Sequence, residues 1–237
     1  MEHAVKSYEN ELDLLRSLTL SLGKLTGEQL GRALEAIESS GADSAARVIE
    51  REPEADRLEH EIDTLVARIL ALRQPVASDL RHILASLRIA NELERICDYA
   101  EDLAKRVMAM SGSPAALSGS LINLGRFSAT MVQDAMDAYA ERNVGKARDV
   151  WGRDKDLDDL YTGLFRELLT YMMEDPHQIS ISTHMLFMAR AIERVGDRAT
   201  NIAEMVTYLV SGVPVAEQRP KADTTKSMIL PDTRPSH

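Results

Sequence analysis

Residues 93–107 read LERICDYAEDLAKRV. Leu93, Ile96, Ala100, Leu103 and Val107 recur at the spacing of one helical face, while Glu94 and Asp98 fall on a different side of the same helix. Those two acids lie about 40° apart around the axis, a like-charge pair that costs an isolated helix a few tenths of a kcal/mol. Residues 192–206 then read IERVGDRATNIAEMV. The apolar face returns as Ile192, Val195, Ile202 and Val206, and the acid pair returns as Glu193 and Asp197. A helix written twice, with the same mild liability kept both times, makes the chain a duplicated one.

Working outward, the duplication extends through most of the chain. Leu22-Gly23-Lys24 precedes Leu124-Gly125-Arg126 by 102 residues. At the same offset Leu34 meets Met136, Val48 meets Val150, Glu52 meets Asp154, Asp56 meets Asp158 and Leu58 meets Leu160. The offset closes to 101 at Pro75 and Pro176 and to 99 at Glu94 and Glu193, as short indels in a connecting turn would produce. Turn signals at Ser39-Ser40-Gly41, Gln74-Pro75, Ser111 to Pro114, Asn143 to Gly145 and Asp175-Pro176 separate six helical stretches. These run over Val5–Ser39, Asp43–Leu72, Val76–Met110, Ser118–Arg142, Val144–Glu174 and His177–Val210.

The fold class is all-α: two pseudo-symmetric antiparallel three-helix bundles. Residues 1–112 form the first repeat, 118–212 the second, and 213–237 a flexible tail with four prolines and one apolar hook, Met228-Ile229-Leu230. Gly23, Gly27 and Gly31 recur at every fourth position of the first helix and predict a smooth face that lets a neighbour approach closely.

Composition agrees. The chain has 237 residues, 44% hydrophobic and 28% charged, enough for a substantial core, and only 4% aromatic. No apolar run reaches the ~18 residues of a membrane span, and the acidic start MEHAVKSYENELD does not read as a secretory signal, so a cytoplasmic protein is expected. A net charge of −10 disfavours nucleic acid and anionic lipid and favours cations or basic partner surfaces. The one cysteine, Cys97, has no partner for a disulfide or a zinc knuckle and is expected to be a small packing residue.

Alignment of the halves turns two acid pairs into four: Glu52/Asp56, Glu94/Asp98, Asp154/Asp158 and Glu193/Asp197. All are expected to face outward, and to converge if the second and third helices of each bundle lie side by side. One such pair is ordinary solvated surface; recurrence in matching register suits a cation held by hard oxygen ligands, Mg²⁺, Mn²⁺ or Ca²⁺, with iron or zinc also able to bind. The histidines point elsewhere. The one Glu-x-x-His, Glu174 to His177, straddles the break at Pro176, Asp79 and His82 have no partner motif, and His60 and His184 read as surface or packing residues. No phosphate loop, nucleophile elbow or Cys–His arrangement is present, so no enzyme is expected.

Three stretches together carry a resemblance: ALRQPVASDLRHILASLRIANELERICDYAEDLAKR (71–106), DDLYTGLFRELLTYMMEDP (158–176) and ARAIERVGDRATNIAEMVTYLVSG (189–212). The chain resembles the PhoU family of bacterial phosphate-signalling regulators up to about residue 212. The resemblance implies metal binding at the four acid pairs in some members. It also implies a negative regulator of the phosphate-starvation response, a cytoplasmic adaptor between a high-affinity phosphate ABC transporter, through its ATPase, and a sensor histidine kinase. Such an adaptor would be a homodimer associated peripherally with membrane complexes. A metal-dependent carboxylate-cluster enzyme or metal store is the competing expectation, and a helical dimer whose acids only confer solubility is a third. The chain departs from the family at Cys97, where the second repeat has Gly196, and at Asp102, where it has Asn201; Asp102 is expected to add a third acid to the first-repeat stripe.

Overall fold

A computed structural model of the chain describes residues 2–110 and 118–215. The helices are α1 (Glu2–Ser39), α2 (Ala42–Arg73), α3 (Ala77–Ala109), α4 (Ser118–Glu141), α5 (Val144–Gly152), α6 (Asp154–Glu174) and α7 (Ile179–Ser211), with a 3₁₀ turn over Pro176–Gln178, and the described residues contain no strand. The ends follow from local chemistry. Gln74 takes a left-handed conformation (φ 48°) and Pro75 cannot continue α2. The Asn143 side chain accepts from the Lys146 N–H at 3.2 Å and starts α5, the Asp175 carboxylate does the same for His177 at 3.0 Å, and Gly212 (φ 76°) ends α7.

One expected element is corrected. Val144–Glu174 is not continuous but breaks at Arg153 into α5 and α6. Gly152 stands where the first repeat has Glu50, which weakens the helix locally, and the Arg153 guanidinium is held 2.6 Å from Asp134 on α4. Its counterpart α2 passes the same point, and Pro53, unbroken.

The two repeats pack antiparallel. On α3 and α7, Glu92 accepts from Arg198 at 3.1 Å while Arg106 stacks 4.7 Å from the centroid of the Phe187 ring, so numbers rise on one helix as they fall on the other. On α1 and α4, Arg16 donates to the Ala140 carbonyl at 2.7 Å and Arg126 grips both oxygens of Glu38 at 3.0 Å. The duplication is visible atom by atom: the Thr26 hydroxyl lies 3.4 Å from the Leu93 carbonyl, and its counterpart Ser128 lies 3.2 Å from that of Ile192.

The apolar faces read from the sequence are the core. Leu93, Ile96, Ala100, Leu103 and Val107 are buried on α3, as are Ile192, Val195, Ile202 and Val206 on α7, each larger side chain contributing roughly 1.5–3 kcal/mol. Cys97 is buried among them, its S–H 3.4 Å from Thr26 Oγ1 and its thiol pKa pushed up to about 12, chiefly by burial. No described helix is long and apolar enough to cross a membrane. The connection over 111–117 and the segment 216–237, with Met228-Ile229-Leu230, lie outside the described residues.

Candidate functional site

In the first repeat the four acids form one ridge along α2 and α3. Glu52 and Glu94 are half-buried, Asp56 and Asp98 exposed. Burial raises the pKa of Glu94 to about 7, with Asp98, Asp56 and Glu59 adding to it and Arg95 opposing. Glu52 is raised by burial, then by Asp56, Glu101 and Asp98, and Asp98 is raised by burial, then by Asp56 and Glu101. Glu52, Glu94 and Asp98 are thus each raised in part by acids of the neighbouring helix. The convergence expected from side-by-side helices is present here.

The expectation that the acids face outward fails in the second repeat. Asp154, Asp158 and Glu193 are only 2%, 3% and 5% exposed, and Asp197 is half-buried. The reason lies at Gly196. A Cβ there would collide with Leu157 Cδ2, so the absence of a side chain lets α6 press Leu157 into α7. The first repeat carries the reverse sizes, Ala55 opposite the position of Leu157 and Cys97 opposite that of Gly196. Carboxylates closed in this way need partners, and two are at hand: the Thr200 hydroxyl donates to Asp154 Oδ1 at 3.2 Å, and Arg190 lies 3.9 Å from Glu193.

Asp102 does not join the first ridge. Its carboxylate accepts from Arg106 on its own helix at 2.9 Å, and Glu101 supplies the third acid instead, partly offset by Lys105 at 2.6 Å. Glu101, Glu59, Arg190 and Thr200 were not singled out from the sequence. Glu101 lies seven positions from Glu94, nearly two helical turns, and that spacing was the signal for it.

His82 is buried on α3. Burial, with Arg142 and Arg16 nearby, lowers its pKa to about 4, so it stays neutral at physiological pH. His60 is exposed and His184 half-buried, as read from the sequence.

The donor chemistry of the first ridge fits a hard cation, since four mutually repelling oxygen ligands gain by one. Its geometry is not closed around a common point. Among the described residues no group of three or more His, Cys, Asp or Glu side chains stands ready to hold a metal ion.

A profile of the PhoU domain matches residues 19–107 and 121–206, one match for each repeat. The chain is 40% identical over 228 residues to the phosphate-specific transport system accessory protein PhoU homolog of Rhizobium meliloti, covering 95% of this chain and 96% of that one. It is 43% identical over 229 residues to the homolog of Xylella fastidiosa, covering 96% and 95%. Its structure is similar to crystal structures of PhoU from Pseudomonas aeruginosa (TM-score 0.85, 38% identity, 87% of this chain and 100% of that one) and of the phosphate transport system regulatory protein PhoU from Streptococcus pneumoniae (0.82, 29%, 88% and 99%).

Proposed function

The chain belongs to the PhoU family, and on that premise we propose that it is the accessory protein of a phosphate transport system and a negative regulator of the phosphate-starvation response. The observation that supports the reading is the extent of the likeness: both repeats match, and relatives named phosphate-specific transport system accessory protein align over nearly their whole length. The proposed partners are the transporter's ATPase and the cytoplasmic portion of a sensor histidine kinase, met in the cytoplasm by a homodimer of this chain.

The protein acts by binding, with no reaction of its own. A regulator of this kind shifts a partner's conformational equilibrium only if it binds one state more tightly, since equal affinity for both shifts nothing. The exposed ridge of Glu52, Asp56, Glu94 and Asp98 is the proposed working surface, and the closed second cluster is the proposed internal brace. The exposed ridge can meet a basic partner surface directly. A divalent cation such as Mg²⁺ or Mn²⁺ would be held by the same acids, its charge offsetting their repulsion.

Capture by immobilised full-length chain tests the partners. Retention of both the ATPase and the kinase portion, and its weakening in Glu94→Gln/Asp98→Asn, is expected; retention of neither, at plentiful and at scarce phosphate, would contradict the proposal.

A further inference from the structure

The C-terminal end of α7 carries a groove that neither acidic ridge uses. It lies between α5 and α7, holds about 500 Å³, and is walled by Val144 and Trp151 on one side and Ala203 and Thr207 on the other. Trp151 is the chain's single tryptophan. Its indole N–H donates to Glu204 at 3.3 Å, which satisfies the polar edge and leaves the rings to line the groove. The first repeat has Ile49 at this position, on the unbroken α2.

The backbone leaves α7 in a fixed direction. The Gly212 N–H returns to the Tyr208 carbonyl at 2.9 Å, with the left-handed φ that a glycine adopts freely. The Ser211 hydroxyl lies 3.0 Å from the Val213 carbonyl and 3.1 Å from its N–H. This turn sets Val213, Pro214 and Val215 along the groove itself. Residues 216–237 follow, and in them Met228-Ile229-Leu230 is the one run of consecutive apolar residues.

We propose that Met228-Ile229-Leu230 folds back into this groove and covers Trp151. Val215 and Met228 are 13 residues apart, and the root-mean-square reach of a linker of that length is about 20 Å. That exceeds the length of the nine-residue α5, about 13 Å, so the segment reaches the groove without being stretched. The tether also keeps the triad at an effective concentration of roughly millimolar order, so a weak apolar contact suffices for occupancy. Arg148 and Glu204 give the groove one charge of each sign, so its apolar walls rather than its charge suit the triad. A partner segment seeking the groove would have to displace this one.

Because Trp151 is the sole indole, fluorescence of the full chain reads the groove directly. Ile229→Asp is expected to shift the emission to longer wavelength and raise quenching by iodide, while helicity and the thermal midpoint stay as in the parent. Thr225→Asp, outside the triad, is expected to change neither. Excess peptide spanning 222–237 is expected to restore the parent emission to the Ile229→Asp chain. Identical emission and quenching in parent and Ile229→Asp would overturn the inference. So would an emission that shifts with chain concentration in both, which would give the groove to a second copy.

Discussion

Gly23 on α1 lies directly beneath Met136 on α4: a Cβ at Gly23 would stand 2.5 Å from Met136 Cε. The repeat reverses the pair, because Gly125 lies beneath Leu34 in the same manner. Gly23 and Gly125 are equivalent in the duplication, as are Leu34 and Met136, so each repeat gives the other a glycine floor and an apolar knob. The seam is a two-fold contact made within one chain. Gly125→Leu is expected to destabilise the protein by about 1–3 kcal/mol, since the added side chain must push Leu34 and its neighbours aside. Gly31→Ala is expected to stabilise by roughly 0.5–1 kcal/mol, because a Cβ there meets nothing within 4 Å. Urea unfolding of the two variants checks both signs.

Leu157 and Gly196 are expected to be energetically coupled. Leu157→Ala should cost about 2–5 kcal/mol as a core truncation and Gly196→Cys about 1–3 kcal/mol as overpacking. The double variant restores the Ala55 and Cys97 sizes of the first repeat and is expected to cost less than the sum by at least about 1 kcal/mol in a double-mutant cycle. Strict additivity would mean that the small-for-large exchange does not set the approach of α6 to α7.

This pair also marks where the sequence stops being legible. Helix identity, the duplication and the apolar faces of α3 and α7 follow from spacing alone, since periodicity reports which side chains share a face. Burial of Asp154, Asp158 and Glu193 does not, because an acid pair reads the same whether the flanking helix stands off or closes down. The distance between helices depends on one methyl-sized decision at Gly196, visible only with Leu157 in place. The break at Arg153 was hidden in the same way, for a lone Gly152 is tolerated in many helices and ends this one beside an Arg153–Asp134 tether. Asp102 looked like part of the stripe from its register, yet Arg106, one turn on, takes its carboxylate.

Glu94 is expected to make stability pH-dependent. Its folded-state pKa, about 7, is above that of an exposed glutamate, so the folded protein holds a proton that the unfolded chain has already released. The contribution of Glu94 to stability is therefore full below the unfolded pKa, about 4.3, and is lost as pH rises through 7. Glu94→Gln is expected to flatten that decline, measured as the thermal midpoint between pH 5 and 8.

Mn²⁺ titration is expected to find binding at the first ridge, stronger at pH 8 than at pH 5.5 because Glu94 must lose its proton to become a ligand. Asp98→Asn is expected to weaken it, while Asp158→Asn, in the closed cluster, is expected to leave it unchanged. Anomalous scattering from crystals grown with Mn²⁺ locates the ion; density at Asp154 and Glu193 instead would reverse the assignment of the two clusters.

A promoter induced by phosphate starvation reads the proposed regulation most directly. In cells lacking this chain and grown with plentiful phosphate, the promoter is expected to remain active, and to fall silent when the full-length chain is supplied. A promoter that shuts off at plentiful phosphate without the chain would contradict the account.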